Sequence, residues 1–163
     1  MEKVKVKLFF TLIITLLLGI CVLCAIRGIG SAKLILKGNE YSKLIQVATK
    51  YEGQPYKFGG NSPSTGFDCS GMVQYCYLQI GIKLSRTAQT QYDQSIKVSA
   101  NKAKPGDLVF FKDTYKCPDY ITHVGIYVGN NKMYQAGSSG IGYIDLTNLY
   151  YKKHLVGFGR IKR

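Results

Sequence analysis

The sequence predicts an α+β domain in which N-terminal helices pack on an antiparallel sheet. Three observations carry this. Apolar residues recur at helical spacing in the first half of the chain, strand-like runs follow one another after Gly106, and turn residues separate those runs. Helices first and strands afterwards are the order of an α+β fold rather than of alternating βα units. With 163 residues, 46% of them hydrophobic and 20 Tyr and Phe side chains, the chain has the apolar area for one compact domain and too little length for two large ones.

The first element stands apart from that domain. Leu8 to Ile26 holds nineteen residues without a charge, enough for a helix of about 28 Å, close to the hydrocarbon thickness of a bilayer. Lys3, Lys5 and Lys7 precede it with only Glu2 opposing, which keeps the N-terminus cytoplasmic and sends the rest outside. A cleaved signal peptide is the alternative, although the run is longer than a usual signal core and lacks a clear small-residue cleavage site. A lipoprotein anchor at Cys21 or Cys24 fits poorly, because Ile20 and Leu23 precede them. The expected organisation is a cytoplasmic basic segment 1–7, a single-pass signal-anchor 8–26, a linker 27–39 and a domain 40–163 placed outside the cell membrane, or secreted if the leader is cleaved.

The domain opens with a helix predicted over Tyr41 to Glu52, where Leu44, Ile45, Val47 and Ala48 share a face and Gly53 stops it. A Gly-, Pro- and Ser-rich loop follows. The next helix starts at Asp68-Cys69, with Asp68 as its cap, Met72, Val73, Cys76, Tyr77 and Ile80 on its apolar side and Gly81 as its end. A shorter helical stretch covers Thr87 to Gln94. Strands are predicted over Asp107–Phe111, Ile121–Val128, Lys132–Ala136, Gly140–Leu146 and Leu155–Ile161.

Charge and cysteine content narrow the chemistry. The net charge of +13 divides into +5 for residues 1–39 and +8 for residues 40–163. The second share points to a polyanionic partner. No nucleic-acid-binding motif accompanies it, so nucleic acid is not expected. Five cysteines, two of them in the apolar segment, do not make a disulfide framework, and no ligand spacing supports zinc or another metal.

Cys69 falls in the first turn of its helix, where free amides and the macrodipole favour thiolate, and where small Ser70 and Gly71 leave amides open to an oxyanion. From the helix alone a buried core thiol is the simpler reading. A catalytic thiol needs a base, and in Thr122–Val128 the residues His123, Gly125 and Tyr127 share one face. If Gly129-Asn130-Asn131 is a three-residue hairpin loop, Lys132 pairs with Val128, Met133 with Tyr127 and Gln135 with Gly125. Gln135 then lies diagonal to His123 and accepts Nδ1–H, which leaves Nε2 to face the thiol. A two-residue loop reverses that parity. Cys76 reads as core, Cys117 as a loop residue and His154 as a surface residue.

Together these residues closely resemble the NlpC/p-sixty family of bacterial cell-wall cysteine peptidases. The resemblance runs from about Tyr41 to Arg160. Its marks are Pro55-Tyr56-Lys57-Phe58-Gly59-Gly60, Gly66-Phe67-Asp68-Cys69-Ser70-Gly71, Leu84-Ser85-Arg86-Thr87 with Gln91, Pro105–Phe111, and His123–Gly129. It implies a compact papain-like fold, with Cys69 as nucleophile, His123 as base and then acid, and Gln135 as the third polar residue, a position more often histidine in the family. It also implies substrate contacts by Tyr56, Asp68 and Ser70. The implied reaction is hydrolysis of peptidoglycan stem peptides between γ-linked D-glutamate and the next diamino acid, with no cofactor. On that reading Arg86 or a lysine recognises the free α-carboxylate or amide by charge, and the basic surface faces anionic wall polymers. Two alternatives share these features: acyl transfer or amidase chemistry on the same Cys-His pair, and a catalytically silent wall-binding protein.

Overall fold

The structure, a computed structural model, describes residues 38–162. The segments expected as cytoplasmic arm, membrane anchor and most of the linker lie outside the described residues. Among the described residues no helix is long and apolar enough to cross a membrane.

Helix α1 spans Gly38–Thr49, three residues earlier than its apolar spacing suggests, and buries Leu44, Val47 and Ala48. A minimal hairpin, β1 (Asn61–Ser62) with β2 (Gly66–Phe67), leads directly into α2 (Cys69–Leu78). Helix α3 (Ala88–Gln94) is capped by Thr87, whose side chain accepts from the Thr90 amide while that of Thr90 reaches back. Strand β3 (Ser95–Val98) was not apparent as a strand, because four residues with one lysine show too little alternation. After a 3₁₀ turn at Ala100–Lys102 come β4 (Leu108–Phe111), β5 (His123–Gly129), β6 (Lys132–Gly137) and β7 (Gly140–Asp145). A short helix α4 (Leu149–His154) and β8 (Leu155–Ile161) complete the described domain.

The large sheet has six antiparallel strands in the order β3-β8-β4-β5-β6-β7. The expected α+β class and antiparallel sheet are therefore present. Alternation along the strands divides the core. One cluster joins Leu44, Met72, Val73, Cys76 and Tyr77 of the helices to Leu108, Phe110, Val124, Ile126, Tyr134 and Ala136. The other gathers Val109, Phe111, Met133, Leu146 and Phe158 under Tyr127, Tyr151 and Leu155. Helix α4 belongs to this second cluster. Its run Leu-Tyr-Tyr-Lys-Lys-His has no buried residue and no clean apolar period, so tertiary packing of Tyr151 decides its place.

The β5–β6 hairpin differs from the three-residue expectation. Lys132 pairs with Gly129, not with Val128, so the loop is Asn130-Asn131, both in the left-handed region at φ 50° and 53° that a type I′ turn requires. A bulge at Val128 restores the register, and Met133 opposes Tyr127 as expected. Two departures cancel. Gln135 stays on the face of His123.

Candidate active site

Three elements meet at the first residue of β5. Helix α2 brings Cys69, β5 brings His123, and β6 brings Gln135.

Asp68 caps α2 as its spacing predicts, with φ −90° and ψ 178° and its side chain accepting from the Gly71 amide. Its carboxylate is fully occupied. Oδ1 accepts from Gly71 N at 2.7 Å, Ser70 Oγ at 3.2 Å and Arg86 Nη1 at 3.0 Å. Oδ2 accepts from Gly59 N at 3.1 Å and Arg86 Nη2 at 2.5 Å. Arg86 also donates to Ser70 Oγ and to the Gly60 carbonyl. The structure thus places Arg86 in a bidentate pair whose charge Asp68 already balances, rather than as an open anion clamp. Ser70 is buried beneath this pair, and its carbonyl accepts from Gln91 Nε2. Gly71 is small for a packing reason: a Cβ there would lie 2.1 Å from the Gly60 carbonyl oxygen. The loop and the helix start touch backbone to backbone.

The Cys69 thiol is buried, and the backbone amides of Val124 and Ser70 lie close enough to its sulfur to favour the thiolate. Val124 adjoins His123, so this contact ties the helix start to the strand that carries the imidazole. Burial, reinforced by the Asp68 carboxylate, pushes the thiol up to about 11 despite those amides. The expectation that a first-turn position favours thiolate is overturned here, because desolvation outweighs the helix end. Burial likewise pulls His123 down to about 4, opposed by its bond to Gln135 and by Asp68. At neutral pH the pair rests as thiol and neutral imidazole.

Gln135 Oε1 lies 2.5 Å from His123 Nε2. The diagonal pairing is as predicted, but the ring nitrogen is the other one. Nε2, not Nδ1, meets the amide, so Nδ1 is the ring nitrogen that Gln135 does not engage. Gln135 is buried, and Gly137 makes room for it: a Cβ at 137 would lie 2.5 Å from Gln135 Nε2 and 2.7 Å from Oε1.

A cleft of about 650 Å³ opens over His123 and Gln135. Tyr56, Phe58, Tyr115 and Tyr150 line it together with His123 and Gln135. Tyr56 lies close enough to Cys69 and Asp68 for both to raise its phenol, after burial, which is the largest cause. Tyr115 and Tyr151 were not singled out from sequence, since neither sits in a recognisable motif. Cys76 is core as expected. Cys117 sits half-buried in the loop after β4. His154 is half-buried rather than free on the surface, its Nδ1 bonded to the Lys112 carbonyl at 2.9 Å. Among the described residues no cluster of His, Cys, Asp and Glu is arranged to hold a metal ion.

Comparison with known proteins places this geometry. The profile of the NlpC/P60 family matches residues 53–160, and the chain belongs to that family. It is 54% identical over 122 residues to the bifunctional muramidase/DL-endopeptidase CwlT of Bacillus subtilis, covering 75% of this chain and 37% of that one. It is 46% identical over 121 residues to the gamma-DL-glutamyl hydrolase of the same organism, covering 72% of this chain and 28% of the other. The chain thus spans well under half the length of these relatives. A crystal structure of an NLP/P60 family protein described as similar to lipoprotein, from Staphylococcus aureus, superposes with a TM-score of 0.79 at 44% identity, covering 82% of this chain and 45% of that one.

Proposed function

We propose that this NlpC/P60 family member is a peptidoglycan endopeptidase that cuts stem peptides through a Cys69 thioester. The observation that carries the reading is the His123–Gln135 hydrogen bond at the start of the strand whose next residue, Val124, lies beside the buried Cys69 thiol. His123 Nδ1 takes the thiol proton as sulfur attacks the scissile carbonyl, then delivers it to the leaving amine. Water drawn in by the same nitrogen hydrolyses the thioester. Gln135 keeps the Nε2 proton in place, so the ring presents a lone pair to the thiol. The names of the relatives, a DL-endopeptidase and a gamma-DL-glutamyl hydrolase, support a γ-DL-glutamyl bond as the one cut. The apolar, uncharged run 8–26 behind a basic arm supports a single-pass anchor with the domain outside, and the +8 of residues 40–163 supports contact with anionic wall polymers.

The test is incubation of the full chain with muropeptides of defined stem type and identification of products by mass spectrometry. Free acid and amine are expected. A new amide or ester would establish acyl transfer instead, and no product from any stem type would remove the peptidase reading.

Two further results are expected. Iodoacetamide labelling of Cys69, followed on its own peptide, accelerates about tenfold per pH unit above neutrality toward its value of about 11. A rate already level near about pH 6 would mean a resting ion pair and contradict the neutral one. Gly137→Ala displaces the Gln135 amide and lowers kcat/KM about tenfold or more at unchanged fold, the worth of one well-placed hydrogen bond. Full activity in that variant would detach Gln135 from catalysis.

A further inference from the structure

Gln135 is an amide, and its two ends are not equivalent. Only the oxygen accepts the imidazole N–H. If the side chain turns over, its NH₂ faces Nε2, the ring must carry its proton on Nδ1, and the base toward the thiol is lost. Gln135 Oε1 is held by His123 Nε2, and its Nε2 donates to Tyr151 Oη at 3.2 Å. Tyr151 stands on α4, and its ring is fixed edge-on against Phe111 at 5.5 Å and against Tyr150 at 5.3 Å. Phe111 also flanks His123 at 5.7 Å, so one aromatic side chain braces both ends of the chain of bonds.

We propose that Tyr151 is a positioning residue that fixes the polarity of the His123–Gln135–Tyr151 chain, so that Nε2 of His123 carries the proton and Nδ1 is the base. The proposal rests on the catalytic reading of His123 and Gln135 and goes beyond it by adding a fourth member from a helix that carries none of the motifs. The hydroxyl accepts from the amide and therefore points its own proton elsewhere. Because Tyr151 lines the cleft, that proton is available to an acceptor on a bound substrate. Such an acceptor holds the hydroxyl in its accepting role toward Gln135. Burial raises the phenol, which keeps its proton on oxygen at neutral pH.

A carboxylate at position 135 has two equivalent oxygens and needs no such orientation. This gives a test that packing effects do not imitate. In the full chain with a stem-peptide product bound in the cleft, the tautomer of His123 is read from its ring ¹⁵N shifts, and kcat and KM are measured for Tyr151→Phe, Gln135→Glu and the double variant. The expected result is that Tyr151→Phe moves a clear fraction of His123 to the Nδ1–H tautomer and lowers kcat about tenfold, with KM changed less than about twofold. In the Gln135→Glu background the same change leaves the tautomer in place. An unchanged tautomer in Tyr151→Phe overturns the proposal, as does an equal shift in both backgrounds, which would mark Tyr151 as packing alone. The ¹⁵N readout needs no turnover, so an absent peptidase activity would refute the catalytic reading without touching this one. If Tyr151→Phe fails to fold, Tyr151→His supplies a ring nitrogen as acceptor, and preservation of the Nε2–H tautomer is then required.

Discussion

Replacing Cys69 by alanine lowers stem-peptide cleavage by at least about 10⁴-fold while the domain keeps its fold. The loss is large because the nearest alternatives on the same helix cannot stand in: Cys76 is fully buried in the core, and Ser70 Oγ is held by Asp68 and Arg86. The fold persists because the variant removes one sulfur at a helix start whose cap, Asp68, remains, a cost of about 1 kcal/mol. His123→Ala is expected to be comparably inactive. The double variant falls no further than either single one, since thiol and imidazole act as a unit. Product mass spectrometry with a parallel thermal melt checks all three. If the losses multiplied, Cys69 and His123 would be acting separately, and the shared mechanism would fail.

Asp68→Ala gives the largest expected loss of stability. Its carboxylate caps α2, ties down the Gly59 amide and neutralises Arg86. Removing one partner of a buried ion pair costs about 3–5 kcal/mol. The Arg86 side chain is 35% exposed, so water re-solvates part of its charge; the lower end, about 3 kcal/mol, is expected. For a domain of this size that lowers Tm by about 10 °C. Asp68→Asn keeps a capping oxygen and loses the charge, and falls between the two. Thermal melts of both variants measure the effect. A shift under about 2 °C for Asp68→Ala would show that Arg86 is solvated by other means and that the pair contributes little.

The order of elements was legible because periodicity records burial. The apolar face of α2, the Asp68 cap and the runs β4 to β8 are written in residue types that each conformation requires. Membership of the NlpC/P60 family was legible too, through motifs of contiguous residues. Strand β3 and helix α4 were not, because both are too short for a period to accumulate. The role of Arg86 was read as open charge, since its partner lies 18 positions away. Small Gly71, read from sequence as leaving amides open to an oxyanion, is small because two backbones touch there.

The chain by itself determined which residues carry the chemistry: a cysteine behind a capping aspartate, one histidine at strand spacing and a polar residue two strand positions from its neighbour. Only the tertiary structure decided how those groups are oriented and charged. Alternation fixes a face but not a register, so the parity of Gln135 depended on the Val128 bulge compensating for a two-residue turn. Composition places a thiol at a helix end, but the protonation of Cys69 and His123 follows from how deeply their surroundings bury them. Which nitrogen meets Gln135, and that Tyr151 holds the far end of its amide, are consequences of packing between segments distant in sequence, where local spacing carries no information.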